Sequence, residues 1–385
     1  MKRVGIVGGG QLARMLALAG HPLGIECDVL DPAPDPSAAS VLRRHFAGGF
    51  EDRAALEALA DDCDVVTFDF ENVTAQPLAH LAARVPVRPP TRALAIAQDR
   101  LEEKNYIAGL GIPVAPYFAI DAPAELEQAC ARLGLPLLVK TRRLGYDGKG
   151  QWRIDSLADS AGVLQALAGT PAIAEAWVPF VRELSIISVR APDGEIRHYP
   201  LTQNCHERGV LAFSVAPAAG IETLQPQAEA LARRLLEGLD YVGVLAIELF
   251  EQADRLIVNE IAPRVHNSGH WTIEGAHCSQ FENHLRAVCD LPLGATAARG
   301  PSLMVNVLGR WPDREELLSV PGLHLHDYCK AERAGRKIGH LSLTDDSREA
   351  LWERGRQLLQ LCGFEPRCGD LERALAWPGA GGAQV

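Results

Sequence analysis

Two glutamates stand inside runs of sequence that are otherwise apolar. Glu248 interrupts Val244-Leu245-Ala246-Ile247-Glu248-Leu249-Phe250, and Glu260 interrupts Leu256-Ile257-Val258-Asn259-Glu260-Ile261. A carboxylate buried without a partner is strongly unfavourable or stays protonated, and two that face each other repel unless a cation joins them. Mg²⁺ takes oxygen ligands, commonly one or two carboxylates together with substrate phosphates. One shared Mg²⁺ therefore accounts for both intrusions; the alternative is a pair of edge positions facing water. The hypothesis sets a register, because side chains alternate faces along a strand. An unbulged four-residue turn at 251–254 would put the two on opposite faces. Direct opposition of Glu248 and Glu260 is expected instead, through an odd connection or a bulge.

The segment after Glu260 is Ala262-Pro263-Arg264-Val265-His266-Asn267-Ser268-Gly269-His270, so whatever it binds lies beside the metal. Arg264 offers a planar fork suited to bicarbonate or a carboxylate, and His266 and Asn267 can donate or relay protons. A two-histidine metal site from His266 and His270 is not expected, since Pro263 and Ser268-Gly269 oppose a helix there and no H-E-x-x-H is present. A second cluster is Lys140 followed by a basic loop with three glycines, Gly145, Gly148 and Gly150. Free backbone amides there could fold over phosphates, and Lys140 at a strand end could reach one as a compact charge. Arg142, Arg143 and Lys149 add positive potential; the alternative is an exposed basic hairpin turn. Residues 141–151 are expected to act as a mobile lid. Neither a Walker motif nor a nucleophile elbow occurs.

Gly8-Gly9-Gly10-Gln11-Leu12-Ala13 fits G-x-G-x-x-A, with Asp31 about 20 residues on. By itself this allows a structural turn, a dinucleotide site or another small-molecule site. It keeps an NAD-dependent oxidoreductase as a rival from a different class.

The elements that must position these groups are legible in outline. Residues 3–7, 27–30 and 64–68 read as strands, and 11–19 and 53–60 as helices. Such alternation implies a parallel sheet with covered faces. The proline-rich 85–90 cannot sit in a helix or a central strand and marks a boundary. Helices are expected at 92–97, 101–110, 122–133 and 221–239. The strand patterns between 172 and 200 suggest antiparallel pairing, and 241–250 and 256–261 read as a hairpin. After about 291, short strands and one helix at 346–361 form a closing unit, followed by a glycine-rich tail expected to be disordered.

The 385 residues suit two or three domains. A net charge of −11 disfavours a nucleic-acid binder. No apolar run approaches the roughly 20 residues of a membrane span. The opening segment reads as a strand rather than a signal peptide, and the nine cysteines contain no C-x-x-C. Reduced thiols in the cytoplasm are the expectation.

In this order the pieces resemble the ATP-grasp superfamily and, within it, the N5-carboxyaminoimidazole ribonucleotide synthetase family. The carrying strings are Gly8–Leu12, Gln98-Asp99-Arg100, Gly145–Gln151, Asn259–His270 and Gly335–His340. Ala13 and Leu144 stand where the family often has glycine. The resemblance implies α/β and α+β architecture in three parts: a Rossmann-like N-terminal domain (1–97), a central ATP-grasp domain (98–295) and a small β-rich C-terminal domain (296–375), with a tail at 376–385. It implies ATP contacts at Arg100, Lys140, Gly145, Tyr146, Asp147, Gly148, Lys149, Gly150 and Gln151. Glu175, Ala176, Trp177 and Val178 would form an adenine hinge. Glu183 would take the ribose, with His206, Asn259 and Glu260 nearby, and Glu248 and Glu260 would hold Mg²⁺. The ribonucleotide substrate would meet Gln11, Leu12, Glu71, Tyr146 and Lys149, with Lys330, Arg336 and Lys337 on its 5′-phosphate. Arg264, His266 and Asn267 would be catalytic. The implied reaction is carboxylation of 5-aminoimidazole ribonucleotide with ATP and bicarbonate, by a cytoplasmic homodimer that binds neither nucleic acid nor membrane. Another ATP-grasp ligase and a non-catalytic nucleotide-binding regulator are the remaining alternatives.

Overall fold

The computed structural model describes residues 2–145 and 148–376. The contacts expected at Tyr146 and Asp147, and the tail from 377 onward, lie outside the described residues.

The N-terminal part is a four-stranded parallel sheet in the order Arg44–Ala47, Glu26–Asp31, Arg3–Val7, Val65–Phe68. The expected strands and helices are present with ends shifted by a residue or so. The strand Arg44–Ala47 was not anticipated: it is an edge strand with no buried residue, so it lacks the apolar run that marks its neighbours. The helix Arg53–Asp61 starts where Asp52 accepts from Ala55 N at 3.1 Å.

The central part has two sheets. A four-stranded antiparallel sheet runs Tyr117–Ile120, Ala172–Ala176, Leu137–Thr141, Gln151–Ile154. Its buried face packs on residues of the helices Pro123–Leu133 and Ser160–Leu167. A larger antiparallel sheet of nine strands begins Arg255–Ala262, Gly243–Gln252, Arg182–Arg190, Thr202–Glu207, Val210–Ala216. The helix Leu224–Gly238 lies on it because Leu224, Ala228, Ala232, Leu235 and Leu236 recur on one helical face and are buried.

Beyond residue 300 the strands Ser302–Leu308, Lys337–Thr344 and His324–Asp327 continue that same sheet, joined through Val210–Ala216. The described residues here form three helices where one was expected: Arg314–Leu318, Arg348–Leu361 and Cys368–Ala376. The first is too short to show a periodic pattern, and the last is separated from its predecessor by a turn around Gly363 and a 3₁₀ turn at Glu365–Arg367. No helix among the described residues is long and apolar enough to cross a membrane.

Candidate active site

The hairpin Gly243–Gln252/Arg255–Ala262 turns through two residues, Ala253 and Asp254, not the four considered from sequence. Counted from that turn, Glu248 would face Asn259. A bulge shifts the register at Glu248/Leu249, and Glu248 pairs directly with Glu260. The extra residue is Asn259, whose Oδ1 is buried with no hydrogen-bond partner among the described residues. Glu248, Glu260 and Asn259 all line the same cleft. Partial burial, and then Glu260, push the Glu248 carboxyl up; Glu260, though desolvation opposes it, is held down by Arg100, whose Nη1 lies 2.6 Å from its Oε2. Among the described residues no group of three or more His, Cys, Asp or Glu side chains forms a metal cage.

Beneath this pair lies a buried charge network. Lys140 Nζ and Lys104 Nζ each sit 3.2 Å from the Glu175 carboxylate. Burial alone would raise Glu175, but Lys140 and Lys104 hold it down to about 2. Lys104 also donates to Asn259 O at 2.7 Å, which anchors the bulge. Glu103 accepts from Ile261 N at 2.6 Å; burial and Glu260 raise its pKa to about 8. Glu175, expected through its backbone in an adenine hinge, lines the cleft, and its side chain bridges the two lysines. Ala176 N and Trp177 N donate to Pro116 O and Pro136 O, so among the described residues Val178 N–H is the hinge amide left without a backbone partner. Lys104→Met should cost on the order of 3 kcal/mol by removing one partner of a buried ion pair. Denaturant unfolding measures this, and an unchanged midpoint would show that the lysine does not support the bulge.

Arg264 is forked onto Glu71, donating from Nε and, at 2.9 Å, from Nη2. The edge formed by Nη1 and the second Nη2 hydrogen remains, with Nη1 also donating to Val265 O at 3.1 Å. His266 Nε2 lies 3.4 Å from Glu248 Oε1; burial, with Arg264 and Lys337 nearby, lowers its pKa to about 3. Asn267 exchanges two amide hydrogen bonds with the buried Asn306, at 3.0 and 2.7 Å. His206 and Glu183 are bonded to each other through Nδ1 and Oε2. Burial works to lower the His206 pKa, but Glu183 raises it.

The basic loop is arranged differently from expectation. Arg142 and Arg143 do not add charge toward the cleft: both bind Asp99, at 2.9 and 3.1 Å. Asp99 heads the helix Arg100–Gly109, and Arg100 N bonds Arg142 O, which places that carboxylate under the loop. Gly150, at φ +71°, closes the hairpin by accepting from Thr141 N through its carbonyl and does not line the cleft.

The triple-glycine turn is occupied by the protein's own carboxylates. Gly9 N donates to Asp31 Oδ2 and Gly10 N to Asp69 Oδ2, both at 2.7 Å. A Cβ on Gly8, at φ +102°, would lie 1.9 Å from Asp69 Oδ1. The glycines admit carboxylates, not a pyrophosphate, and the acids would repel one. NADH and NADPH should therefore not bind; saturable fluorescence enhancement at micromolar NADH would overturn this.

These groups line one cleft of about 1160 Å³ between the two central sheets and the N-terminal turn. Its walls include Gln11, Leu12, Glu71, Arg100, Lys140, Gly145, Gly148, Lys149 and Gln151 of the expected residues. Glu175, Ala176, Trp177, Val178, Glu183 and His206 follow, with Glu248, Asn259, Glu260, Arg264, His266 and Asn267. Lys330, Arg336 and Lys337 close the far end, where Lys330 Nζ donates to Gln11 Oε1; burial, then Arg336, lowers Lys330 to about 8. Leu12 is mostly core and offers the cleft little side chain. Residues missed from sequence are Lys104, Asp69, Asn306 and the stacked pair Phe180/Phe250, 4.7 Å apart in the cleft wall. Only the aromatic pair had a usable signal, since Phe180 follows the hinge segment closely.

An acidic pair facing a lysine and an arginine suits transfer of a phosphoryl group. Comparison with known proteins agrees. Residues 105–281 match the ATP-grasp domain, 1–98 the ribonucleotide synthetase preATP-grasp domain, and 302–354 the phosphoribosylaminoimidazole carboxylase C-terminal domain. The chain is 51% identical to the N5-carboxyaminoimidazole ribonucleotide synthase of Pseudomonas aeruginosa, covering 91% of this chain and 97% of that one. The crystal structure of the synthetase from Thermus thermophilus superposes with a TM-score of 0.89 at 50% identity, covering 93% and 98% of the two chains. The Aspergillus clavatus synthase, in complex with ADP and 5-aminoimidazole ribonucleotide, gives a TM-score of 0.89 at 35% identity over 94% and 98%.

Proposed function

Because the chain belongs to the N5-carboxyaminoimidazole ribonucleotide synthase family, we infer that its cleft joins bicarbonate to 5-aminoimidazole ribonucleotide at the expense of ATP. It is an ATP-grasp ligase of purine biosynthesis. A bicarbonate oxygen attacks the γ-phosphorus of ATP, ADP leaves, and carboxyphosphate forms. The exocyclic amine of the ribonucleotide then takes the carboxyl group, and phosphate is released.

The division of labour follows the geometry. Lys140 faces the phosphates as a buried charge, and Val178 N–H is available to the base edge. Glu183 and His206 exchange their mutual bond for contacts to the ribose. Glu248 and Glu260 face each other across the bulge at Asn259 in the cleft and fit a hard divalent cation. Mg²⁺ bound there would neutralise the γ-phosphate and the developing charge on the bridging oxygen. Arg264, held by Glu71, turns its free edge to bicarbonate. His266 and Asn267 stand beside it, fixed from beneath. Lys330, Arg336 and Lys337 converge on the end of the cleft where the ribonucleotide phosphate would lie. Gln11 at the start of its helix joins them, and Gly145, Gly148, Lys149 and Gln151 cover the nucleotide so that carboxyphosphate is kept from water. The division of the chain at 97/98 and 295/296, the homodimeric state and the cytoplasmic location belong to the same proposal.

The observation that carries this reading is the facing pair Glu248/Glu260 in one cleft with Lys140 and Arg264. Phosphate release should require ATP, Mg²⁺, bicarbonate and aminoimidazole ribonucleotide together. Omitting either of the last two in turn tests it. Full ATP hydrolysis with both absent would point to a different ligase or to a plain ATPase.

A further inference from the structure

We propose that the Ser268 backbone N–H sets the His266 ring with its proton on Nε2, and that the buried hydrogen-bond chain Ser214–Asn204–Ser185–Ser268, oriented by that amide, holds it there. His266 then meets its ligand as a hydrogen-bond donor and not as a base. The inference rests on the placing of His266 beside bicarbonate given above, and adds the direction of its hydrogen bond and the residues that set it.

The polarity of the chain follows from one backbone amide. Ser268 N–H points at His266 Nδ1, 3.3 Å away. A backbone N–H can only donate, so Nδ1 is an acceptor and the neutral ring carries its proton on Nε2. Ser268 Oγ lies 2.9 Å from the same Nδ1, so its single proton is directed there. That oxygen can then only accept from Ser185 Oγ, at 2.7 Å. Ser185, its proton spent, accepts from Asn204 Nδ2 at 3.1 Å. This sets the Asn204 amide, whose Oδ1 accepts from Ser214 Oγ at 2.8 Å. One donor fixes every later member.

Nothing nearby lets the chain reverse. Ser185, Ser214 and Ser268 are fully buried, and Asn204 nearly so; water cannot supply an alternative partner. Spacing is set by the large sheet: Ser214 pairs directly with Asn204, and Ser185 lies on the next strand, paired with Thr202. The His266 backbone is clamped at both groups by Gln280, its N–H donating to Oε1 at 2.9 Å and its carbonyl accepting from Nε2 at 2.6 Å. This holds the backbone that carries the ring, while the two bonds at Nδ1 hold the ring itself. With Nδ1 engaged twice, only Nε2–H is left for the cleft, toward Glu248 and the bicarbonate position. The three serines and Asn204 are positioning residues that act through His266.

Nitrogen NMR of ¹⁵N-histidine-labelled protein reads the tautomer directly, with the His266 signals identified by their loss in His266→Gln. Neutron diffraction from wild-type crystals gives the same answer without any variant. A protonated Nε2 and a bare Nδ1 at neutral pH are expected; a protonated Nδ1, or a doubly protonated ring, overturns the proposal. Ser185→Ala frees the Ser268 hydroxyl to rotate, and should raise the KM for bicarbonate about tenfold while the Kd for ATP stays unchanged. Equal loss of ATP binding would reduce Ser185 to a packing residue and sink its positioning role. If Nε2 carries the proton yet His266→Gln leaves the bicarbonate KM unaltered, the tautomer stands. The placing of His266 at bicarbonate then fails instead.

Discussion

Arg264→Ala will lower kcat for carboxylation by a factor on the order of 10²–10³, the loss typical of removing one preorganised charge from a reacting oxyanion. ATP will bind this variant nearly as before, because Lys140, Lys104 and Arg100 form a separate network. The structure complicates the reading in a useful way. Arg264 is also the partner of Glu71, so its loss leaves that carboxylate unpaired beside the buried Asp69. Asp69 already has its pKa raised to about 7 by burial, with Gly10 N–H and Arg264 opposing the rise. A defect in Arg264→Ala therefore combines lost chemistry with a disturbed N-terminal loop. The double variant Arg264→Ala/Glu71→Gln separates the two causes. Removing the stranded charge should restore stability but not turnover, if Arg264 serves bicarbonate. Recovery of activity in the double variant would show that Arg264 only neutralises Glu71. Equal losses in ATP affinity and turnover would move it to the nucleotide site.

What the sequence made legible were charges in places where apolar residues were due. Glu248 and Glu260 stood out because their neighbours are strand-forming and apolar, and the demand that they face one another required an odd connection or a bulge. The bulge at Asn259 supplies it. Charges in polar surroundings gave no such signal. Lys104 and Glu103 sit in Glu102-Glu103-Lys104, which looks like the wet side of a helix. Both are buried, because Asn259 O and Ile261 N come down on them from a strand about 155 residues away. The same blindness to long-range pairing misdirected Arg142 and Arg143, whose partner Asp99 lies about 43 residues back. It also hid the use of Asp31 and Asp69, which occupy the amides of a turn that reads as a dinucleotide fingerprint. A motif states which backbone groups are free in isolation; only the packed chain decides what satisfies them.

Glu248→Gln and Glu260→Gln should each reduce Mg²⁺-dependent turnover by a factor on the order of 10²–10³, yet move the stability of the metal-free protein in opposite directions. Glu248 is held above the usual carboxylate range by burial and by Glu260. For a carboxyl whose folded pKa is raised, folding favours the protonated form. That stability is complete below the unfolded pKa near 4 and is lost as the pH rises toward the folded one. A neutral glutamine escapes this loss, so Glu248→Gln should raise Tm, and by more at pH 8 than at pH 5, on the scale of a group that titrates between them. Glu260 behaves in the reverse sense: half-buried and held down by Arg100, it contributes stability above the unfolded pKa and loses it only in acid. Glu260→Gln leaves the half-buried Arg100 guanidinium without its partner and should lower Tm at pH 8. Thermal scans without divalent ions, paired with Mg²⁺ titrations of activity, read both quantities. A residue that merely filled the strand would lose stability and activity together. If Glu248→Gln is less stable than the wild type at pH 8, or keeps its Mg²⁺ dependence unchanged, the facing carboxylates are not a cation site.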